Sequence, residues 1–183
     1  MKRGLFLTLE GVDGCGKSTQ LAFLTEYLKQ KGLDVVLTRE PGGCAISEQV
    51  REILLNPENK QMSAETEMLL YAAARVQHIA EKILPALEAG RVVLCDRYLD
   101  SSIAYQGYGR GLGEQRVRQI NWYAQEHCMP DATFLFLLEV DRSFERIRQG
   151  RQSTDRLEQE SRGFFEQVDD GFHALAQREK RIR

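Results

Sequence analysis

The sequence lacks a long hydrophobic run, a closely spaced pair of cysteines and a strong excess of charge of either sign. No apolar stretch approaches the about 20 residues of a membrane-spanning helix, and no signal peptide is visible, so we expect a cytoplasmic protein without a membrane partner. The net charge of −2 gives no overall field that would attract nucleic acid. The four cysteines (Cys15, Cys44, Cys95 and Cys128) form no C-x-x-C pair, which favours free thiols.

The order of apolar patterns predicts the fold class. The chain has 183 residues, 42% of them hydrophobic, which is enough for a single domain over residues 1–183. Short buried-strand patterns alternate with helical ones, which predicts an α/β fold with a parallel sheet and helices on both faces. The four predicted strands cover residues 5–9, 34–38, 91–95 and 132–138. The predicted helices cover residues 17–31, 47–55, a long segment after Ser63, 101–106, 113–127, and segments starting near Arg142 and Asp155.

The long helix after Ser63 has an apolar stripe, because apolar residues recur every three or four positions. The stripe consists of Leu69, Ala73, Val76, Ala80, Ile83 and Leu87. Pro85 lacks the backbone N–H that the helical ladder needs, and we expect it to bend this helix. The stripe alone does not distinguish a core face from a dimer interface.

The most specific motif lies between the first strand and the first helix, where residues 11–18 fit G-x-x-x-x-G-K-[ST]. Its glycines let backbone N–H groups turn inward around phosphate, and the helix N-terminus adds partial positive charge. Lys17 can reach the β- and γ-phosphates of a nucleoside triphosphate, and the Ser18 hydroxyl can hold Mg²⁺. The predicted ATP-binding residues are Gly11, Val12, Asp13, Gly14, Cys15, Gly16, Lys17, Ser18 and Thr19.

A second carboxylate, Asp96, ends the third predicted strand and is the candidate to hold Mg²⁺ together with Ser18. Arg97 follows it, where an enzyme that hydrolyses ATP often carries a carboxylate. A cation beside the γ-phosphate suits an anionic acceptor, so the pair favours transfer to another phosphate over hydrolysis; the alternative is a surface ion pair. Residues 59–62, Asn-Lys-Gln-Met, lack the aspartate of the guanine-reading N-K-x-D motif, which argues against a GTPase.

A candidate acceptor pocket begins with Tyr71 and Arg75, which lie four residues apart and share a helix face. A ring and a guanidinium one turn apart can stack on a base and donate hydrogen bonds to its edge. The alternative is an exposed Tyr–Arg pair without a function. Other basic and polar residues expected near this pocket are Arg39, Arg51, Ser102, Tyr105 and Gln106.

Three segments resemble the bacterial thymidylate kinase family: residues 10–19, 38–43 and 96–107. The resemblance extends from the first strand to about Leu175. It implies the three-layer P-loop nucleoside monophosphate kinase fold, a homodimer, and transfer of the γ-phosphoryl of ATP to dTMP, giving dTDP. The chain stops at Arg183, where the family continues into a fifth strand and a final helix, so we expect these last two elements to be missing.

The resemblance also implies roles for residues around dTMP. Tyr71 would stack on thymine, where the family usually has Phe, while Arg75 and Gln106 would read the edge of the base with Ser102 near by. Tyr105 would pack near the sugar and disfavour a ribose 2′-hydroxyl.

The phosphate of dTMP and the sugar 3′-hydroxyl have their own candidate residues by the same resemblance. Arg97, together with Arg39 and Arg51, would hold the acceptor phosphate. Asp13 would lie near this phosphate and the 3′-hydroxyl. The predicted catalytic residues are Lys17, Arg97, Arg151 and Asp13.

Residues 146–156 contain four arginines and are the candidate lid; the alternative is a solvated basic loop. The phosphate loop has no basic residue besides Lys17, so an arginine that stabilises the migrating phosphoryl group must come from elsewhere. This pattern resembles the bacterial subtype with a catalytic lid arginine. Arg151 is the candidate for that role, and Arg146 or Arg148 for covering adenine.

Two other functions stay open on the sequence. One is a kinase for another nucleoside monophosphate or for a deoxynucleoside, although a nucleoside acceptor would need a general base that the arginine-rich pocket does not offer. The other is a truncated homologue that binds nucleotide without turnover.

Overall fold

The computed structural model describes residues 3–150 and 155–183, with the side chains of 147–150 left out. A four-stranded parallel sheet lies at its centre, in the order β2-β3-β1-β4. The strands are β1 (Phe6–Gly11), β2 (Val35–Arg39), β3 (Val92–Asp96) and β4 (Ala132–Phe136). The predicted α/β class with a parallel sheet is confirmed.

Nine α-helices and two π-helical segments surround the sheet in the part of the chain that the structure describes. The helices are α1 (Lys17–Gln30), α2 (Ala45–Leu55), α3 (Ala64–His78), α4 (Leu84–Glu88), α5 (Leu99–Ser102), α6 (Glu114–Ile120), α7 (Trp122–His127), α8 (Val140–Gly150) and α9 (Arg162–Arg178). The π-helical segments are Ile79–Ile83 and Ile103–Gly109. None of the described helices is long and apolar enough to cross a membrane.

Each face of the sheet is covered by its own helices. Successive residues of a strand point to opposite faces, so neighbouring residues belong to different clusters. Leu7 and Leu9 of β1 pack with Leu21 of α1 on one face. Phe6 of the same strand belongs to a second cluster on the other face, with Ile79 and Leu175. Burial on both faces explains why the strands read as continuous apolar runs.

The strand register brings polar residues to one edge of the sheet. Leu9 and Arg39 both pair with Asp96, so the end of β3 lies between the ends of β1 and β2. Ligands in open parallel sheets bind outside these carboxyl ends. The register therefore places the phosphate loop, Asp96 and Arg39 around one crevice.

The interpretation of the long-helix stripe as one continuous face was wrong. Leu69 and Val76 are 51% and 39% exposed, whereas Met68, Tyr71 and Arg75 of α3 are buried. The buried face contains charged residues whose partners lie on other segments of the chain, and such residues look solvent-facing in a sequence. The π-helical segment Ile79–Ile83 then changes the helical register just before Pro85, and Ile83 and Leu87 are buried.

Two predicted helix boundaries were also wrong. The single helix predicted over 113–127 is divided at Asn121 into α6 and α7. The helix predicted to begin near Asp155 begins at Arg162, after Ser161 caps it by accepting from the Phe164 N–H. The Asp155–Glu158 spacing does form reciprocal capping bonds of 3.0 and 2.9 Å, but they close a turn.

The last residues lie along the outer edge of β4. Ile182 forms a parallel bridge with Thr133. The Thr133 N–H donates to the Arg181 carbonyl at 3.0 Å, and the Leu135 N–H donates to the Arg183 carbonyl at 2.9 Å. This pairing covers part of the outer edge of β4.

Candidate active site

One cavity of about 420 Å³ lies at the carboxyl ends of the strands. It extends from the loop between β1 and α1 to the buried face of α3 and the turn at 155–158. Sixteen of the predicted site residues line it: Asp13, Gly14, Gly16, Lys17, Ser18, Thr19, Arg39, Arg51, Tyr71, Arg75, Asp96, Arg97, Ser102, Tyr105, Gln106 and Arg146. The structure thus brings together residues from seven separate stretches of sequence.

The phosphate loop is folded around the ammonium group of Lys17. Its Nζ donates to the carbonyl oxygens of Gly11 at 3.0 Å and Val12 at 2.8 Å, and lies 3.6 Å from the Cys15 Sγ. Gly11 has a φ of 135°, and an added Cβ would lie 2.3 Å from the Phe136 carbonyl oxygen. Burial and the nearby Arg97 charge lower the pKa of Lys17. A polyanion beside it would favour the charged form.

Ser18 and Asp96 lie together at the mouth of this loop. The Ser18 hydroxyl donates to the Asp96 Oδ2 at 3.4 Å, while the buried Oδ1 has no hydrogen-bond partner among the described residues. A hydroxyl and a carboxylate are hard oxygen ligands of the kind that Mg²⁺ takes, with waters and phosphate oxygens supplying the rest. The donor set and the unpartnered oxygen therefore fit a magnesium ion.

Arg97 is the centre of the cluster next to the loop. Its guanidinium donates to the Gly11 carbonyl at 2.9 Å, the Ser101 hydroxyl at 3.0 Å and the Asp13 Oδ1 at 2.8 Å. It also lies over the Tyr105 ring, 5.1 Å from the centroid. Burial raises the pKa of Asp13, but the charges of Arg97 and Lys17 outweigh burial and hold this pKa at about 2. Asp13 is thus a carboxylate that orients a cation and cannot serve as a proton store near neutral pH.

A buried carboxylate, Glu10, bonds the residues that follow Arg97 in the chain. It accepts from the Tyr98 N–H at 2.7 Å and from the Ser101 hydroxyl. Arg97 has a φ of 66°, a left-handed conformation that is strained for a side chain with a Cβ. The bonds of Glu10 to residues on the C-terminal side of Arg97 help to hold this conformation. Burial and the Asp100 charge raise the pKa of Glu10 to about 7.

Arg75 forms the floor of the other end of the cavity and is 2% exposed. Its guanidinium donates to the Glu40 Oε2 at 2.7 Å, the Ser102 hydroxyl at 2.9 Å and the Asn121 Oδ1. The second oxygen of Glu40 lies 3.0 Å from His78 Nδ1. Arg75 is therefore a buried group whose position is set by partners on three other segments of the chain.

The Gln106 side chain is held from the side away from the cavity. Its Nε2 donates to the Glu67 Oε1 at 2.9 Å. Glu67 is 1% exposed and also accepts from Arg110 at 2.9 Å and Arg156 at 2.6 Å. The three donors outweigh burial, so the pKa of Glu67 is lowered and it stays ionised.

Arg39 and Arg51 also line the cavity and form a positive wall of it. Arg39 pairs with Glu48 at 2.8 Å and is about half exposed. Arg51 donates to the Pro41 carbonyl at 2.8 Å, and burial and the neighbouring Arg39 lower its pKa. A cation that is destabilised by burial and by a like charge is an expected feature of an anion-binding site.

Comparison with known proteins agrees with this geometry. A sequence model of the thymidylate kinase family matches residues 9–183. The chain belongs to the thymidylate kinase family. It is 51% identical to a thymidylate kinase of Halothermothrix orenii over 96% of this chain and 85% of that protein. It is 50% identical to a thymidylate kinase of Exiguobacterium sibiricum over 96% of this chain and 82% of that protein.

A solved structure is also similar to the whole chain. The crystal structure of thymidylate kinase from Ehrlichia chaffeensis superposes with a TM-score of 0.81 at 34% identity, covering 99% of this chain and 91% of that one. The expected P-loop nucleoside monophosphate kinase fold is therefore confirmed.

The roles assigned to single residues of this thymidylate kinase family member stay predictions. Arg151 lies outside the described residues, and so does the side chain of Arg148. Arg146 lies near the phosphate loop, where its NH1 donates to the Gly14 carbonyl at 3.0 Å. Gly11, Val12 and Cys15 do not line the cavity, although the first two bond Lys17 through their carbonyl oxygens.

The sequence analysis missed four buried groups that hold the site together: Glu10, Glu40, Glu67 and His78. Glu10 carries a usable signal, because it is a lone carboxylate at the end of an apolar strand. Glu40 stands inside the segment 38–43 that carried the family resemblance. Glu67 and His78 give no local signal, since charged residues on a helix usually face solvent.

Proposed function

We propose that this protein transfers the γ-phosphoryl group of ATP to dTMP, giving ADP and dTDP. The observation that carries the proposal is one cavity that is lined both by the phosphate loop and by residues predicted to hold dTMP, among them Arg39, Arg51, Tyr71, Arg75 and Gln106. Membership of the thymidylate kinase family supports the same reaction. An enzyme that only hydrolyses ATP would not need the residues that are predicted to hold dTMP.

The acceptor needs no general base in this mechanism. A phosphate monoester has a second pKa of about 6, so the phosphate of dTMP is already an ionised nucleophile near neutral pH. The remaining task is to bring two polyanions together and to neutralise the charge that develops between them. Lys17 would act on the donor phosphates, and Arg97, Arg39 and Arg51 on the acceptor phosphate. Asp13 would keep the Arg97 guanidinium directed at the point where the donor and acceptor phosphates meet.

Mg²⁺ would be held by Ser18 and Asp96 next to the donor phosphates. When bound, such an ion neutralises charge on the β- and γ-phosphate oxygens. Arg151 is proposed as the residue that adds a further positive charge at the migrating group. These two assignments rest on the donor set at the loop and on the arginine pattern of residues 146–156.

We also propose a homodimer that forms through α2 and α3. These two helices pack on each other and leave apolar side chains in water. The exposed residues are Ile46, Ile53, Leu69 and Val76, at 53%, 48%, 51% and 39% exposure. Exposed apolar side chains gathered on two neighbouring helices are a feature of many interfaces. A Leu69→Glu and Val76→Glu double variant should sediment as a monomer, whereas an unchanged mass would refute this interface.

The expected cytoplasmic location stays a prediction.

A panel of acceptors tests the reaction. ADP release from ATP is measured with dTMP, dUMP, dCMP and AMP, each with Mg²⁺ and with EDTA, using the 183-residue chain. We expect turnover with dTMP to exceed that with the other acceptors and to require the metal. ATP binding without turnover on any acceptor would favour an inactive homologue, and preference for another monophosphate would favour a different kinase.

A further inference from the structure

Gln106 is a group whose function depends on which of its two ends faces the cavity. A carboxamide has a donor end and an acceptor end of nearly equal size, so a free Gln side chain can present either to a ligand. In this structure the donor end is taken, because Nε2 bonds the Glu67 carboxylate at 2.9 Å. The carbonyl oxygen Oε1 is then the end that the side chain presents to the cavity.

Glu67 enforces this orientation because an ionised carboxylate only accepts hydrogen bonds. Turning the Gln106 amide over would place its carbonyl oxygen against the buried Glu67 oxygen, with no proton between them. Arg110 and Arg156 contact Glu67 at 2.9 and 2.6 Å and keep it charged. They also hold its plane, so the carboxylate cannot rotate away from Gln106.

We propose that Glu67 is a positioning residue that selects the acceptor base by fixing the Gln106 carbonyl toward the cavity. This inference rests on the proposed function, since it specifies how that pocket would read a pyrimidine. Thymine and uracil carry an N3–H donor that suits a fixed carbonyl acceptor. Cytosine has an acceptor at N3, and two acceptors facing each other would leave a buried polar atom unpaired.

The substitution Glu67→Gln is expected to reverse the Gln106 amide. The oxygen of the new amide would stay at the Oε2 position, where the NH2 groups of Arg110 and Arg156 donate at 2.9 and 2.6 Å. Its NH2 group would take the Oε1 position that faces Gln106, at the cost of the longer 3.2 Å bond from the Arg110 Nε, because the opposite orientation would lose both shorter bonds. Gln106 would have to offer its carbonyl to this new donor and turn its own NH2 group into the cavity, where it suits the N3 of cytosine.

The measured quantity is the ratio of kcat/KM for dTMP to kcat/KM for dCMP. We expect Glu67→Gln to lower this ratio by at least about tenfold, the equivalent of one hydrogen bond. Glu160→Gln is the matched control, because Glu160 pairs with the same Arg110 at 2.6 Å, whereas the Gln106 Nε2 donates to Glu67. Its ratio should stay within about twofold of the unmodified protein's.

A double-mutant cycle separates positioning from a general loss of structure. In a Gln106→Leu background the amide is gone, so adding Glu67→Gln should leave the dTMP to dCMP ratio unchanged. An equal drop in both backgrounds would overturn the proposal, as would an unchanged ratio in Glu67→Gln alone. If the unmodified chain does not prefer dTMP, the proposed function fails first, which distinguishes the two failures.

A measurement on the unmodified protein keeps the inference testable if Glu67→Gln does not fold. The side-chain NH2 signals of Gln106 can be assigned by their loss in the NMR spectrum of Gln106→Leu. Bonded to a buried carboxylate, they should be protected from hydrogen exchange and remain so when dTMP is added. Rapid exchange of these protons in the free protein would overturn the proposal.

Discussion

The substitution Glu40→Gln should lower the stability of the protein by much more than the small change in side-chain shape suggests. Glu40 and Arg75 lie 2.7 Å apart, with side chains that are 4% and 2% exposed. Glu40→Gln keeps the shape and a hydrogen-bonding group but leaves the Arg75 charge buried without its counter-ion. Breaking one partner of a buried ion pair costs about 3–5 kcal/mol. Since small domains have only about 5–15 kcal/mol of stability, this loss is a large part of the total.

The assay is urea unfolding followed by circular dichroism, with Glu48→Gln as the matched control. Glu48 pairs with Arg39 at 2.8 Å, close to the 2.7 Å of the Glu40–Arg75 pair, but both side chains are more than a third exposed. Such a pair contributes about 0–1 kcal/mol. We expect Glu40→Gln to lower the free energy of unfolding by about 3 kcal/mol and Glu48→Gln by less than about 1. Equal losses in the two variants would refute the reasoning from burial.

A double variant separates the effect of the Glu40–Arg75 pair on stability from its effect on turnover. Replacing both partners, as in Glu40→Gln with Arg75→Met, removes the unpaired charge and should recover much of the stability. It should not recover dTMP turnover, because Arg75 is the proposed reader of the base edge. A double variant that is both stable and fully active would contradict that role.

Two further predictions concern the charges at the transfer site. The pKa of Asp13 is lowered from 3.8 to about 2, so its contribution to stability is complete above pH 4 and is lost as the pH falls through about 2. As the pH is lowered, Asp13→Asn should therefore lose less free energy of unfolding than the unmodified protein does, by up to about 2 kcal/mol. Plots of stability against pH that run parallel for the two proteins would contradict this prediction. Arg151→Ala should lower turnover by about 10³-fold with little change in dTMP affinity, while Arg142→Ala, 69% exposed, should change it less than about twofold. A few-fold effect of Arg151→Ala would assign the role to another lid arginine.

The family-level features of this protein could be read from short segments of sequence. A phosphate loop needs consecutive residues, because one turn of backbone wraps the anion and the next residue begins a helix. The residues 11–18 therefore predicted both their own structure and their ligand. Asp96 was predictable for a similar reason, since a carboxylate that ends a buried apolar strand must lie at the crevice of a parallel sheet.

The α3 face shows where sequence reasoning failed. Leu69 and Val76 follow a helical stripe, yet they are exposed, and Arg75 and His78 are buried. Periodicity reports which residues are apolar, but the buried face of α3 also contains polar and charged side chains whose partners lie elsewhere in the fold. Their partners lie on the segment after β2, on α5 and at the break between α6 and α7, 23 to 46 residues away.

The sequence by itself determined the sheet class, the phosphate loop and the family, because each depends on local spacing or on residue type. Only the tertiary structure decided which groups hold the residues proposed to bind dTMP: Glu10 next to Arg97, Glu40 beside Arg75 and Glu67 beside Gln106. The physical reason is that a buried carboxylate is stable only when distant donors converge on it. That convergence is a property of the folded chain.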